Sequence, residues 1–83
     1  MNTIDKIYLD TENYIIVDEE GILCYACAEQ TEEWQIKRIT TDEALAYIHW
    51  RGIDDSILGK LNGFNKEKQK QYDLMQNKLK ETK

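Results

Sequence analysis

The chain has 83 residues, 41% of them hydrophobic and 33% charged, with 16 acids against 11 bases for a formal net charge of −5. Eight aromatic residues and this apolar fraction exclude a disordered polymer, which lacks the side chains to bury a core, and the length predicts a single domain over 1–83. The longest apolar run, 22–28, is far short of the roughly 20 residues needed to cross a bilayer.

The opening residues 1–6 carry no apolar stretch of the secretory type. With two cysteines, this predicts a cytoplasmic protein. The net charge hides a division: residues 1–55 hold thirteen acids against Lys6, Lys37, Arg38 and Arg51, a balance of −9, whereas residues 56–83 hold three acids against seven lysines, a balance of +4. Such asymmetry governs association and solubility rather than fold.

Lys6 to Leu9 reads as a short strand, and Tyr14-Ile15-Ile16-Val17, β-branched and aromatic, as a strong one. Asp18-Glu19-Glu20-Gly21 follows, with Gly21 able to take the left-handed conformation that closes a hairpin loop. Ile22 to Ala28 is the partner strand, and residues 30–33 form a polar turn. Trp34 to Ile39 alternates as the next strand. A helix over Tyr25 to Trp34 is the competing reading, because Ala26, Ala28, Glu29, Gln30, Glu32 and Glu33 all suit one.

The period changes at Thr40. Thr40-Thr41-Asp42-Glu43 has the form of a capping box, so a helix starts there, runs to about Arg51 and stops at Gly52. Asp54 or Asp55 caps a short second helix bearing Ile57, Leu58 and Leu61, ended by Gly63. Asn65 caps a longer one from Lys66 to about Thr82. Strands followed by helices predict an α+β fold: an antiparallel meander of three to four strands within residues 4–39 forms the sheet half, and two to three helices within 40–83 pack on one of its faces. The small residues Cys24, Ala26 and Ala28 share a face that suits the close approach of a helix.

The C-x-x-C of Cys24 and Cys27 requires both sulfurs on one side to bind metal or to exchange disulfides. In an extended strand, residues three apart face opposite sides. A thioredoxin-like site further wants a thiol at a helix start and typically a proline nearby, and the chain has no proline. A structural zinc site would have to recruit Cys24, Cys27, His49 and a carboxylate such as Glu29. The cysteines therefore read as buried apolar residues, with a metal-stabilised module through Cys24, Cys27 and His49 as the alternative. No metal site and no cofactor is predicted.

Catalytic candidates are sparse: one histidine, His49, between Ile48 and Trp50 at the edge of a helix, one serine, Ser56, and four scattered glycines that form no phosphate loop. The chain reads as a non-enzymatic protein. Its contact surface is predicted in the acidic half, through Asp18, Glu19, Glu20, Glu32 and Glu33, together with Trp50, which falls on the helix stripe opposite Ala44, Leu45 and Ile48. Rows of acids in strands and turns have the spacing of a nucleic-acid backbone. The concrete expectation is an inhibitor, of the kind phages and mobile elements encode, that occupies the basic nucleic-acid-binding surface of a partner protein. The alternative is a nucleic-acid-binding regulator using the lysine-rich C-terminal helices, although Asp54 and Asp55 would oppose phosphate at the start of the second helix. Tyr72, Met75 and Leu79 form a narrow seam at 3–4 spacing, suited to docking on its own domain or to pairing with a second copy.

Overall fold

The structure, a computed structural model, describes residues 3–27 and 35–81. It is an α+β fold: a four-stranded antiparallel sheet in the order β1-β2-β3-β4, followed by helices. The strands are β1 (Ile7–Tyr8), β2 (Asn13–Val17), β3 (Leu23–Cys27) and β4 (Gln35–Arg38).

β1 is shorter than its apolar run suggests because the turn after it is closed by a side chain. The Asp10 Oδ1 accepts the backbone amides of Glu12 and Asn13, both at 2.8 Å, and so bends the chain directly after Leu9. The β2–β3 loop is built the same way. Asp18 Oδ1 accepts from the amides of Glu20 (2.9 Å) and Ile22 (3.0 Å), so β3 starts at Leu23 rather than at Ile22. Gly21 adopts a φ of 90°, as the sequence predicts for this loop. Tyr25 to Cys27 are strand, not helix; Ala28 and the rest of the competing helical reading, together with the polar turn and Trp34, lie outside the described residues.

Three helical segments follow: α1 (Thr41–Trp50), a 3-10 helix (Asp55–Lys60) and α2 (Lys66–Glu81). Each starts on the residue that the sequence nominates. Thr40 and Glu43 form a reciprocal capping box. Asp54 accepts the Ser56 amide at 3.0 Å, and Asn65 Oδ1 accepts those of Glu67 and Lys68, both at 3.1 Å. At the end of α1, Gly52 donates to the His49 carbonyl (3.0 Å) and Ile53 to that of Ile48 (2.8 Å), the paired bonds of a Schellman stop.

The register puts Ile7, Ile15 and Tyr25 in one row of the sheet and Val17 beside Leu23 on the same face. That face carries the core: Ile7, Ile15 and Leu23 pack with Ile39, Ala44 and Ile48, and the 3-10 segment adds Leu58 and Leu61. The expectation that helices approach over the small residues Cys24 and Ala26 is corrected here. Both point to the opposite face, where Tyr8, Tyr14, Ala26 and Ile36 form a row across all four strands. The larger side chains of the Ile15 face remove more apolar surface from water, and that outweighs the closer approach that small residues permit.

α2 plugs the end of the sheet. One residue beyond the Cys24–Arg38 pair, the Ile39 amide donates to the Leu23 carbonyl at 2.9 Å. The reciprocal bond runs through an inserted side chain: Gln69 Oε1 accepts from the Leu23 amide at 2.7 Å, and its Nε2 donates to the Ile39 carbonyl at 3.1 Å. The Gln69 amide thus stands in for a peptide group between the two strands. Asp73 accepts from Gln69 (2.9 Å) and from the Thr41 amide (3.0 Å), tying α2 to the start of α1.

Candidate functional site: the Trp50 and Arg51 surface

α1 turns Ala44 and Ile48 into the core and leaves Ala46 and Trp50 outside, as its 3.6-residue period demands. Trp50 is 78% exposed, a large apolar surface to leave in water. Its neighbour Arg51 is the C-cap, fixed in direction by the Schellman stop that follows. The Arg51 guanidinium carbon lies 4.7 Å from the centre of the Trp50 ring, and its Nη2 reaches Asp10 Oδ2 at 3.2 Å.

From Asp10 the chain of contacts continues inward. The Asn13 side-chain amide donates to both Asp10 oxygens (2.8 and 2.7 Å), and the Tyr25 hydroxyl donates to Asn13 Oδ1 at 3.0 Å. Tyr25 in turn stacks on Tyr47 with ring centres 4.8 Å apart. The hydrogen bonds from the Asn13 side chain and then the Glu12 amide hold the Asp10 carboxyl below the usual carboxylate range, so it stays ionised opposite Arg51. Burial raises the Tyr25 pKa, so its hydroxyl remains a neutral donor. These groups line a cleft of about 160 Å³ with Leu9. That is smaller than the roughly 300 Å³ where small-molecule pockets begin, and it suits a protruding side chain of a partner.

The acidic residues named from the sequence are placed differently from a free array. Arg38 Nε meets Asp18 Oδ2 at 2.6 Å and its Nη2 meets Glu20 Oε2 at 3.0 Å, so two acids of the β2–β3 loop share one internal cation. Burial works against the charge of Asp18. Hydrogen bonds from the Ile22 amide, Arg38 and the Glu20 amide outweigh it and hold its carboxyl below the usual range. Glu19 is exposed. Glu32 and Glu33, like Glu29, lie outside the described residues.

Cys24 is buried and Cys27 half-buried on opposite faces of β3. Burial first, with the Asp18 charge adding to it, pushes the Cys24 thiol up to about 11, which keeps it protonated and unreactive at neutral pH. Among the described residues no group of three His, Cys, Asp or Glu side chains gathers as metal ligands, so Cys24, Cys27 and His49 do not come together. His49 Nε2 instead lies 3.3 Å from Asp55 Oδ2, with both side chains more than half exposed. That contact follows from the tight turn after α1, which the sequence reading did not link to His49.

The predicted seam on α2 splits. Tyr72 docks on its own domain, with its hydroxyl donating to the Arg38 carbonyl at 3.1 Å, whereas Met75 and Leu79 are each 61% exposed and Leu74 joins them outside. α2 buries a polar stripe, Gln69, Tyr72 and Asp73, because those side chains complete backbone hydrogen bonds at the sheet end, and its apolar residues are left facing water. Lys66 and Lys70 share one face of α2, but Lys68 and Lys78 fall well away from them, so the four do not make one stripe that could follow a phosphate backbone. No helix among the described residues is long and apolar enough to cross a membrane. Comparison with protein-family models, with curated proteins and with solved structures finds no match for the chain.

Proposed function

We propose that this protein acts by binding another protein rather than by catalysis, with Trp50 and Arg51 at the centre of the contact. The observation that carries this reading is the pairing of an exposed indole with a guanidinium held over it by Asp10. Tryptophan and arginine are the residue types that dominate binding energy at interfaces, and side chains already fixed in place lose less entropy when a partner closes on them. The partner is basic around the pocket that takes Trp50, because the balance of −9 over residues 1–55 steers positive surfaces toward this half. In its most specific form the partner is a nucleic-acid-binding protein whose basic surface is covered.

Affinity capture from the source cell at two salt concentrations, with the partner identified by mass spectrometry, supplies the ligand for the test. Trp50→Ala then weakens the complex by at least about 30-fold, the loss of a hot spot worth about 2 kcal/mol, and Arg51→Ala weakens it less. Neutralising Glu19, Glu32 and Glu33 to glutamine slows association and flattens the salt dependence. Unchanged affinity in Trp50→Ala, with loss in the glutamine variant, would move the contact to the acidic loops.

The outward Leu74, Met75 and Leu79 favour a second contact, self-association through α2. Sedimentation equilibrium is expected to show mass rising with concentration in the native chain and a constant monomer mass in Met75→Lys with Leu79→Lys. A monomer at every concentration for the native chain removes this contact and leaves the Trp50 reading untouched.

A further inference from the structure

A second concavity, independent of the Trp50 contact, lies where the 3-10 helix, the start of α1 and the first two turns of α2 meet. It measures about 420 Å³, within the range that encloses small ligands. Leu58 and Phe64 form its apolar floor, and Lys66 and Lys70, one helical turn apart, stand along one wall. Neither lysine makes an ion pair with another described residue. The acid in the wall, Asp73, turns its oxygens to the Thr41 amide, the Thr41 hydroxyl and the Gln69 side chain, and forms no ion pair with either lysine.

Gly59, in the 3-10 helix, also lines the cleft. Unlike Gly21, Gly52 and Gly63, Gly59 has no positive φ, and a Cβ built on it meets nothing within 4 Å. Glycine weakens a helical segment relative to alanine. Neither a left-handed backbone nor close packing requires glycine here, and the absent side chain leaves space free beside the cleft that Gly59 lines.

We propose that this cleft binds a small organic anion: a carboxylate or phosphate group between Lys66 and Lys70, attached to an apolar, ring-sized body that lies on Leu58 and Phe64 beside Gly59. Two cations with no ion-pair partner among the described residues supply the charge, Leu58 and Phe64 supply apolar contact, and Gly59 supplies room. The ammonium groups act as rotatable point charges, so the site selects charge and size rather than a planar two-point acceptor.

Phenyl phosphate titrated into the isotope-labelled full chain, followed by amide NMR shifts, tests this. Saturable shifts are expected around residues 56–59 and 66–70, with a Kd of about 1 mM or tighter, the range open to a ligand of this size. Inorganic phosphate alone and phenol alone each bind at least about tenfold more weakly, because each lacks one half of the recognition. Gly59→Leu lowers the affinity for phenyl phosphate at least about tenfold without lowering the thermal midpoint, and Lys66→Met with Lys70→Met lowers it by as much and removes the preference for phenyl phosphate over phenol. No saturation by about 10 mM overturns the proposal, as does equal binding of inorganic phosphate, which would mean an adventitious ion only. Unchanged affinity in the lysine variant overturns it too, and that variant decides the matter if Gly59→Leu does not fold.

Discussion

Gly21→Ala is expected to destabilise the fold by about 4 kcal/mol, a large share of the roughly 4–12 kcal/mol typical of a domain this size. Two effects combine. An alanine at φ 90° is held in a conformation that costs roughly 1–2 kcal/mol for a residue with a side chain. Its Cβ would also lie 2.4 Å from Asn65 Cβ, 2.8 Å from the Asn65 nitrogen and 2.9 Å from the Gly63 carbonyl oxygen. Two of those atoms are backbone, so relief requires α2 to retreat from the β2–β3 loop. The retreat breaks the bond from the Asn65 amide to the Gly21 carbonyl (3.0 Å) and disturbs the residue that caps α2. Gly52→Ala is the control: its φ of 71° is also left-handed, but nothing lies within 4 Å of its Cβ, so only the conformational cost of about 1 kcal/mol applies. Urea unfolding of the two variants separates the terms, and equal midpoints would show that the contact with Asn65 carries no weight.

Gln69→Leu is expected to cost about 3 kcal/mol, lowering the thermal midpoint by roughly 12 °C or more. Gln69 is 2% exposed and stands between two strands as a donor and an acceptor together. Leucine fills a similar volume but leaves the Leu23 amide and the Ile39 carbonyl buried without partners, each worth about 1–3 kcal/mol of desolvation. The apolar area gained offsets part of this. Gln69→Glu does no better, because a carboxylate cannot donate to the Ile39 carbonyl and lies beside Asp73. A midpoint within about 2 °C of the native chain for the leucine variant would mean that the sheet end closes on itself without α2.

Both positions bear on how much the sequence displays. Gly21 is legible as a turn glycine, since an Asp-Glu-Glu-Gly loop between two apolar runs calls for a left-handed residue. That its missing side chain also seats Asn65, forty-four positions away, is not. Gln69 reads as an ordinary helix-forming residue in a lysine-rich run. Its role exists only once β3 and β4 are aligned and α2 lies across their ends. The candidate site divides the same way: Trp50 is recognisable as an outward residue of α1, while its guanidinium cover depends on Asp10, forty-one positions before Arg51. The acidic loop is visible as a charge run, but not that Arg38 folds back to pair with two of its members.

What the sequence determined by itself was the set of local elements. The Thr40–Glu43 capping box, the stop at Gly52, the caps at Asp54 and Asn65 and the β-branched run of β2 each rest on hydrogen bonds or steric limits between residues at most a few positions apart. Tertiary structure alone decided which face of the sheet the helices cover, that α2 turns its polar side inward, and that Arg51 is held over Trp50 by Asp10. Those outcomes depend on burying apolar area and completing backbone hydrogen bonds between segments distant in the chain, and no periodicity along the sequence encodes which distant partner will be met.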